Sequence, residues 1–341
     1  MKKIVLFVFI SSLFFGCSNK VENVEKSFYY WKSDPWSFSE KEKNTLTALN
    51  VKKLYIKYFE IDHDDVFGDF PISKTSLHIY EQNNLTIVPT VYIKNGIFKN
   101  TNAKRLDSLA DNINFLINKY TKDKFERANP VTEFQMDCDW TLTTKDNYFY
   151  FLKKLKSISK KEISCTLRLY PYKYPEKMGI PPVDKATLMC YNLINPLENH
   201  SKNSILDESE LESYLNKKRK YPIHLDIALP VYSWMQVYQN NKFSKVIYSD
   251  QKEIFESLKP IKPLWYEVTE DKVVDNFYLR VGDKIKYEKT TEENINRAIE
   301  IIKKNVVFDA NTTVTLFHLD EEQLSNYNDE TLSGFFTNFS K

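Results

Sequence analysis

Residues 134–140, FQMDCDW, place two aspartates two positions apart inside an apolar run. On a β-strand alternate side chains share a face, so Asp137 and Asp139 point the same way, with α-carbons ~6.6 Å apart. Ionised carboxylates in apolar surroundings are unstable unless paired or hydrogen-bonded. Their presence in such a run is therefore a signal for acid–base chemistry or for an internal ion network. Because the two share one strand, they do not flank a reacting bond together. Asp139, nearer the C-terminal end, takes the direct role and Asp137 orients or tunes it. The opposing catalytic carboxylate must come from another strand, and Glu60, Asp226 and Asp320 are the candidates for it.

Several elements must bring these residues together. Apolar runs at 27–33, 52–61, 85–93, 134–140, 163–170, 187–193, 223–232 and 313–320 read as strands, several of them apolar nearly throughout, as parallel strands covered on both faces require. Between them lie helical stripes. Leu106, Leu109, Ala110, Ile113, Leu116, Ile117 and Tyr120 form one, and Tyr148, Phe151, Leu152, Leu155 and Ile158 another. Thr290 and Glu293 have capping-box spacing before a third. Eight strands with helical connections predict an α/β fold, a (β/α)8 TIM-like barrel, with a doubly wound open sheet as the main alternative. An insertion between strands seven and eight, about 233–290, interrupts the rhythm and contains an expected hairpin turning at Gly282-Asp283. In the barrel Glu133, Gln135, Asp137 and Asp139 point inward. Cys138, Cys165 and Cys190 have outward parity and are expected to pack against helices.

The fourth strand resembles the D-x-x-D-x-D-x-E signature of family 18 glycoside hydrolases, the chitinase-like barrels, with Asp137 and Asp139 on the second and third acidic positions. MCYN, residues 189–192 on the sixth strand, resembles that family's M-x-Y-D motif with Asn192 in place of the aspartate. The chain departs from the signature at Phe134, and at Thr141, which stands where the family carries its proton-donating glutamate. The resemblance implies a glycosidase-like barrel without that catalytic glutamate. Arg168, Tyr191, Asn192 and His318 lie at strand ends with the candidate acids and are expected to contact substrate. Trp31, Trp36, Trp140 and Trp234 follow or end strands, where aromatic faces suit the C–H faces of sugars. The alternative for the charges is a salt-bridge network in which Lys57 and Arg168 neutralise the aspartates.

The remaining features narrow the class. Six glycines, none clustered, exclude a phosphate-cradling loop. Forty-eight basic and 46 acidic residues give a net charge of +2, and no basic block interleaved with aromatics marks a nucleic-acid surface. The absence of C-x-x-C argues against a zinc ribbon or a disulfide scaffold, and that of H-x-H against an amidohydrolase-type metal barrel. No metal and no cofactor are expected, and the acidic run 62–65 reads as a solvated loop rather than an oxygen-rich cation site. At the start of the chain two lysines precede an apolar run that ends in Gly16-Cys17, the layout of a secretory signal too short to span a membrane. LFFGC resembles a bacterial lipobox. The expected organisation is a signal peptide over 1–16, lipidation at Cys17, a tether over 17–26 and one barrel over 27–341. The whole chain resembles bacterial lipoproteins with a glycosidase-like barrel, which implies a lipid-anchored envelope protein, at the outer membrane, with a glycan as its partner. Three functions fit: a glycoside hydrolase, a glycan-binding barrel, or a structural or assembly lipoprotein that uses the barrel as a scaffold.

Overall fold

The computed structural model describes residues 21–340, apart from 65, 67, 81–83, 198–200, 249–251, 275 and 276. Cys17 and the expected signal peptide lie outside the described residues, as does Asp65. Eight strands close a parallel barrel: β1 (Asn23–Tyr30), β2 (Lys53–Asp64), β3 (Thr86–Ile93), β4 (Glu133–Asp137), β5 (Glu162–Leu167), β6 (Lys185–Met189), β7 (His224–Pro230) and β8 (Asn311–Phe317). Each pairs in parallel with the next, and β1 completes the ring by pairing with both β2 and β8. The open-sheet alternative is thereby excluded. Residues 23–26, assigned to the tether from sequence, are the first half of β1. Their ladder runs against residues 311–314, and Lys26 donates to the carbonyl of Leu49.

Strand alternation divides the core in two. Outward side chains such as Phe134, Met136, Ile163 and Cys165 are buried under helices. Helix α1 spans Glu40–Ala48. The predicted stripes form α2 (Ala103–Lys124) and α3 (Lys145–Ser159), which bury Leu106, Leu109, Ala110, Ile113 and Ile117, and Tyr148, Phe151, Leu152 and Leu155 respectively. Inward side chains build a polar midlayer. The Tyr29 hydroxyl donates to Gln135 Oε1 at 2.9 Å, and Gln135 Nε2 donates to Thr187 at 3.1 Å. Buried polar groups of this kind are stable only when paired. Among the described residues no helix is long and apolar enough to cross a membrane.

Between β7 and the helix Glu292–Asn305 the chain builds a five-stranded antiparallel sheet, in the order 242–247, 233–239, 284–289, 265–268, 258–262. Its own small core holds Met235, Val237, Ile247, Val268 and Ile285. The expected hairpin about Gly282-Asp283 is corrected. Residues 277–279 pair with 272–274, whereas 284–289 form the sheet's central strand. Asp283 is buried and accepts from the Arg280 N–H and from Gln239, so the turn there joins two different sheets. The expected cap also shifts by one residue. Thr291 caps the helix by accepting from the Asn294 N–H, because the Thr290 hydroxyl is spent on the Tyr232 carbonyl and Tyr327.

Candidate active site at the barrel mouth

The C-terminal ends of the strands surround a cavity of about 210 Å³, lined by Tyr29, Trp31, Glu60, Tyr92, Asp137, Asp139, Thr166, Arg168, Met189, Tyr191, Asn192 and Phe317. Asp137 is the last residue of β4 and is only 8% exposed. The Thr166 hydroxyl donates to its Oδ1 at 2.6 Å. Burial, and then the neighbouring Asp139, push the Asp137 carboxyl up to about 7. The Thr166 hydrogen bond and Arg168 oppose the rise, and Glu60 adds to it. A carboxyl titrating there can hold or release a proton at neutral pH.

Asp139 lies two residues beyond the strand, its side chain 49% exposed, with Arg168 Nε 2.9 Å from Oδ1. Across the mouth, Lys57 donates to Glu60 at 2.6 Å, and its ammonium lies 5.8 Å from the Trp31 ring centre. Of the sequence-expected ion network, Arg168 does pair with an aspartate, whereas Lys57 serves Glu60. Trp31 packs edge to face on Tyr29 and against Phe317, so its ring is fixed as a wall. The Tyr92 phenol is pushed up to about 12 by burial and by the charges of Asp137 and Asp139, and stays a neutral hydroxyl. Tyr92, Thr166 and Tyr29 were not singled out from sequence. Their inward parity near strand ends was the available signal.

A second cavity, about 520 Å³, shares Arg168, Met189, Tyr191 and Asn192 with the first and continues to Tyr170, Asn195, Tyr214 and Trp234. Asn192 takes a left-handed backbone (φ 53°), and its side-chain oxygen accepts from the Tyr232 hydroxyl at 2.5 Å. Trp234 is positioned from the inserted sheet, where its indole N–H donates to Glu288 Oε2 at 2.6 Å. Glu288 is fully buried and also accepts from Ser204 and Gln236, with Lys286 Nζ at 2.7 Å. Every oxygen of that carboxylate is engaged, which makes it a rigid anchor.

Five expected site residues lie elsewhere. Asp226 is the third residue of β7, near the opposite end of the barrel, where it accepts from the Thr313 N–H and lies 3.2 Å from His224 and 3.5 Å from Lys185. Asp320 caps the short helix Glu321–Leu324 and pairs with Lys32 at 3.2 Å. His318 follows the last residue of β8 and lines neither cavity. Burial, with Lys32 and Lys57, lowers its imidazole to about 4 against the pull of Asp320. Trp140 is buried, donates to the Met178 carbonyl and stacks on Tyr148. Trp36 is 58% exposed and stacks on His78. The acidic run is not a loop as far as Asp64: Asp62, His63 and Asp64 end β2 and pair with residues 68–70. Asp62 is paired with Lys94, and His63 with Asp69, which Arg105 also binds. Among the described residues no group of three or more His, Cys, Asp or Glu is placed to hold a metal ion.

Comparison with protein-family models and with curated proteins finds no match. Among solved structures, the spore cortex-lytic enzyme SleL of Bacillus cereus is similar with a TM-score of 0.52 and 13% identity, covering 94% of this chain and 76% of that one. SleL of Bacillus megaterium gives 0.49 at 13% identity, covering 91% and 76%. Active domain 2 of a thermostable chitinase from Pyrococcus furiosus, complexed with chito-oligosaccharides, gives 0.42 at 12% identity, covering 94% and 96%. At this identity the likeness to Bacillus cereus SleL shows the fold, a (β/α)8 barrel.

Proposed function

We propose that the barrel mouth takes a carbohydrate, in a cleft of glycoside-hydrolase type that binds more readily than it cleaves. The observation that carries this reading is the mouth itself. Three carboxylates, Glu60, Asp137 and Asp139, share one cavity with the rings of Tyr29, Trp31, Tyr92, Tyr191 and Phe317. That combination of polar groups and fixed aromatic faces suits a pyranose, which presents hydroxyl edges and C–H faces. The proton donor of chitinase-like enzymes has no counterpart at its usual place. Thr141 is an exposed hydroxyl bonded to Thr143 and Thr144 ahead of α3. Asp137 favours a second reading, hydrolysis. A carboxyl near 7 beside Asp139 is an acid–base pair, and Glu60 on β2 supplies a carboxylate from across the cavity.

The full chain, incubated with a broad oligosaccharide panel beside Asp139→Asn and Glu60→Gln variants, separates the readings. Binding of an oligosaccharide that either substitution weakens, without chitin cleavage, is expected. Robust cleavage of chitin oligomers would overturn the argument from Thr141. Turnover of another glycan that both substitutions abolish would select hydrolysis. The same reading holds the protein at the bacterial envelope through lipid on Cys17, at the outer membrane. Its support is the lipobox-like LFFGC. Cys17→Ser should abolish labelling by a fatty-acid analogue and release the chain from membranes. An unlabelled wild-type chain would refute the anchor.

A further inference from the structure

The outer cleft differs from the inner cavity in charge. Where the inner cavity holds three carboxylates, Arg168 is the one charged side chain among the described residues that line the 520 Å³ cleft. The other walls are rings and neutral groups: Tyr170, Tyr191, Tyr214 and Trp234, with Asn192 and Asn195. Arg168 follows β5 directly, and its Nε lies 2.9 Å from Asp139 Oδ1. Its two terminal amino groups make no hydrogen bond among the described residues, so the guanidinium presents an open fork at the junction of the two cavities. Asp139 stands beside the fork as its counter-ion.

A guanidinium open in this way, in a cleft with no acidic side chain among the described residues that line it, is matched in geometry by a carboxylate, which accepts two parallel N–H···O bonds. The surrounding rings would bury a sugar's C–H faces, and a cleft of this volume is within the ~300–1,000 Å³ of small-ligand sites. We infer that the glycan of the proposed mouth is acidic, and that Arg168 reads a carboxylate on the sugar ring seated in the outer cleft. The neighbouring ring then enters the carboxylate-lined cavity. The inference rests on the proposed carbohydrate site and adds the substrate's chemical class. The acid carbon belongs either to the ring itself, as in a uronic acid, or to a carboxyalkyl ether on a ring oxygen. Both present the same two oxygens to the fork.

The test uses the full chain, with tryptophan fluorescence and calorimetry as readouts. The acidic ligands are oligogalacturonate, oligomannuronate and a carboxyethyl-ether amino-sugar disaccharide, each compared with its carboxyl-reduced, neutral counterpart. The expected result is that at least one acidic ligand binds ten-fold or more tightly than its reduced form. Arg168→Gln should bring that ratio to within two-fold of unity, and Arg168→Lys, which keeps the charge but not the fork, should leave an intermediate ratio. The uronate and ether arms identify the source of the carboxylate. Equal binding of acidic and reduced forms by the wild type would overturn the inference while leaving the carbohydrate site standing. A ratio unchanged in Arg168→Gln would overturn the role of Arg168. Binding of no glycan, acidic or neutral, would overturn the site and the inference together.

Discussion

The two ends of this barrel both bury charge, and they treat it in opposite ways. At the N-terminal end, Glu133 accepts from Ser164 at 2.6 Å and has Lys185 at 2.8 Å and Lys53 at 3.6 Å. Asp226 Oδ1 is held by His224 and the Thr313 N–H, and His224 is held in turn by Asp309. Asp226 Oδ2 has the Lys185 ammonium at 3.5 Å but no hydrogen bond among the described residues. Burial alone would raise Asp226, but His224 and Lys185 outweigh it, and the carboxyl ends below its ordinary range. At the C-terminal end, Asp137 has one hydroxyl donor and two acidic neighbours, and it titrates near 7. A buried ion satisfied by several partners holds a structure together. One left short of partners stores free energy that a ligand or a transferred proton can release.

The difference is most directly broken at the closed end. Lys185→Met strands Glu133 and Asp226 against a neutral side chain, and the expected loss of stability is about 3–5 kcal/mol in urea unfolding at pH 7. A loss below about 1 kcal/mol would mean that the closed end is no better satisfied than the mouth. The pH dependence there is a window. Asp226, with a lowered folded pKa, contributes above the ordinary carboxylate range and loses its contribution in acid. His224, raised by its hydrogen bond to Asp226, contributes below about 6.5 and loses its contribution as pH rises through its folded value.

Asp137 carries the opposite sign. Its folded value near 7 exceeds the unfolded ~3.9, so the folded state keeps the proton that the unfolded chain releases. Stability therefore falls as pH rises from about 4 to 7, by up to about 4 kcal/mol, and stays reduced above that. Asp137→Asn should be close to neutral for stability at pH 4 and stabilising at pH 8. Urea melts at the two pH values check this, and a destabilised variant at pH 8 would show that the mouth is structural. The smallest effect on stability is expected for Asp139→Asn. Its pair with Arg168 is half exposed and worth ~1 kcal/mol or less. A melting temperature within a few degrees of the wild type, together with at least about ten-fold weaker glycan binding, sharpens the contrast between the ends.

The sequence showed which side chains face into the barrel better than how high they stand in it. Period-two alternation put Asp137, Gln135 and Glu133 inside, and their hydrogen bonds to Thr166, Thr187 and Ser164 agree with that parity. Alternation is blind to height, however. Asp226 and Asp137 are both inward, but one is third in its strand and the other last, so they stand near opposite ends. Height follows from the register between neighbouring strands, which local composition does not encode. The tryptophans failed for a related reason. Trp31 and Trp234 reach the cleft, whereas Trp140 turns back onto Tyr148 and Trp36 onto His78, because the path of a loop beyond a strand is set by distant packing partners. The helices α2 and α3 were legible because a stripe of apolar residues at helical spacing has one way to be buried.

The first strand has a bearing on orientation. The chain enters β1 at Asn23, at the closed end of the barrel, where the N–H groups of Glu22 and Asn23 bond the carbonyl of Ala310, and it reaches the mouth only at Tyr29 and Trp31. An eight-residue strand spans ~26 Å. Residue 21, the first described, therefore lies on the face opposite the cleft. A surface that gripped the protein by that end would present the opening outward, unshadowed, toward long polymers that could not slip beneath it.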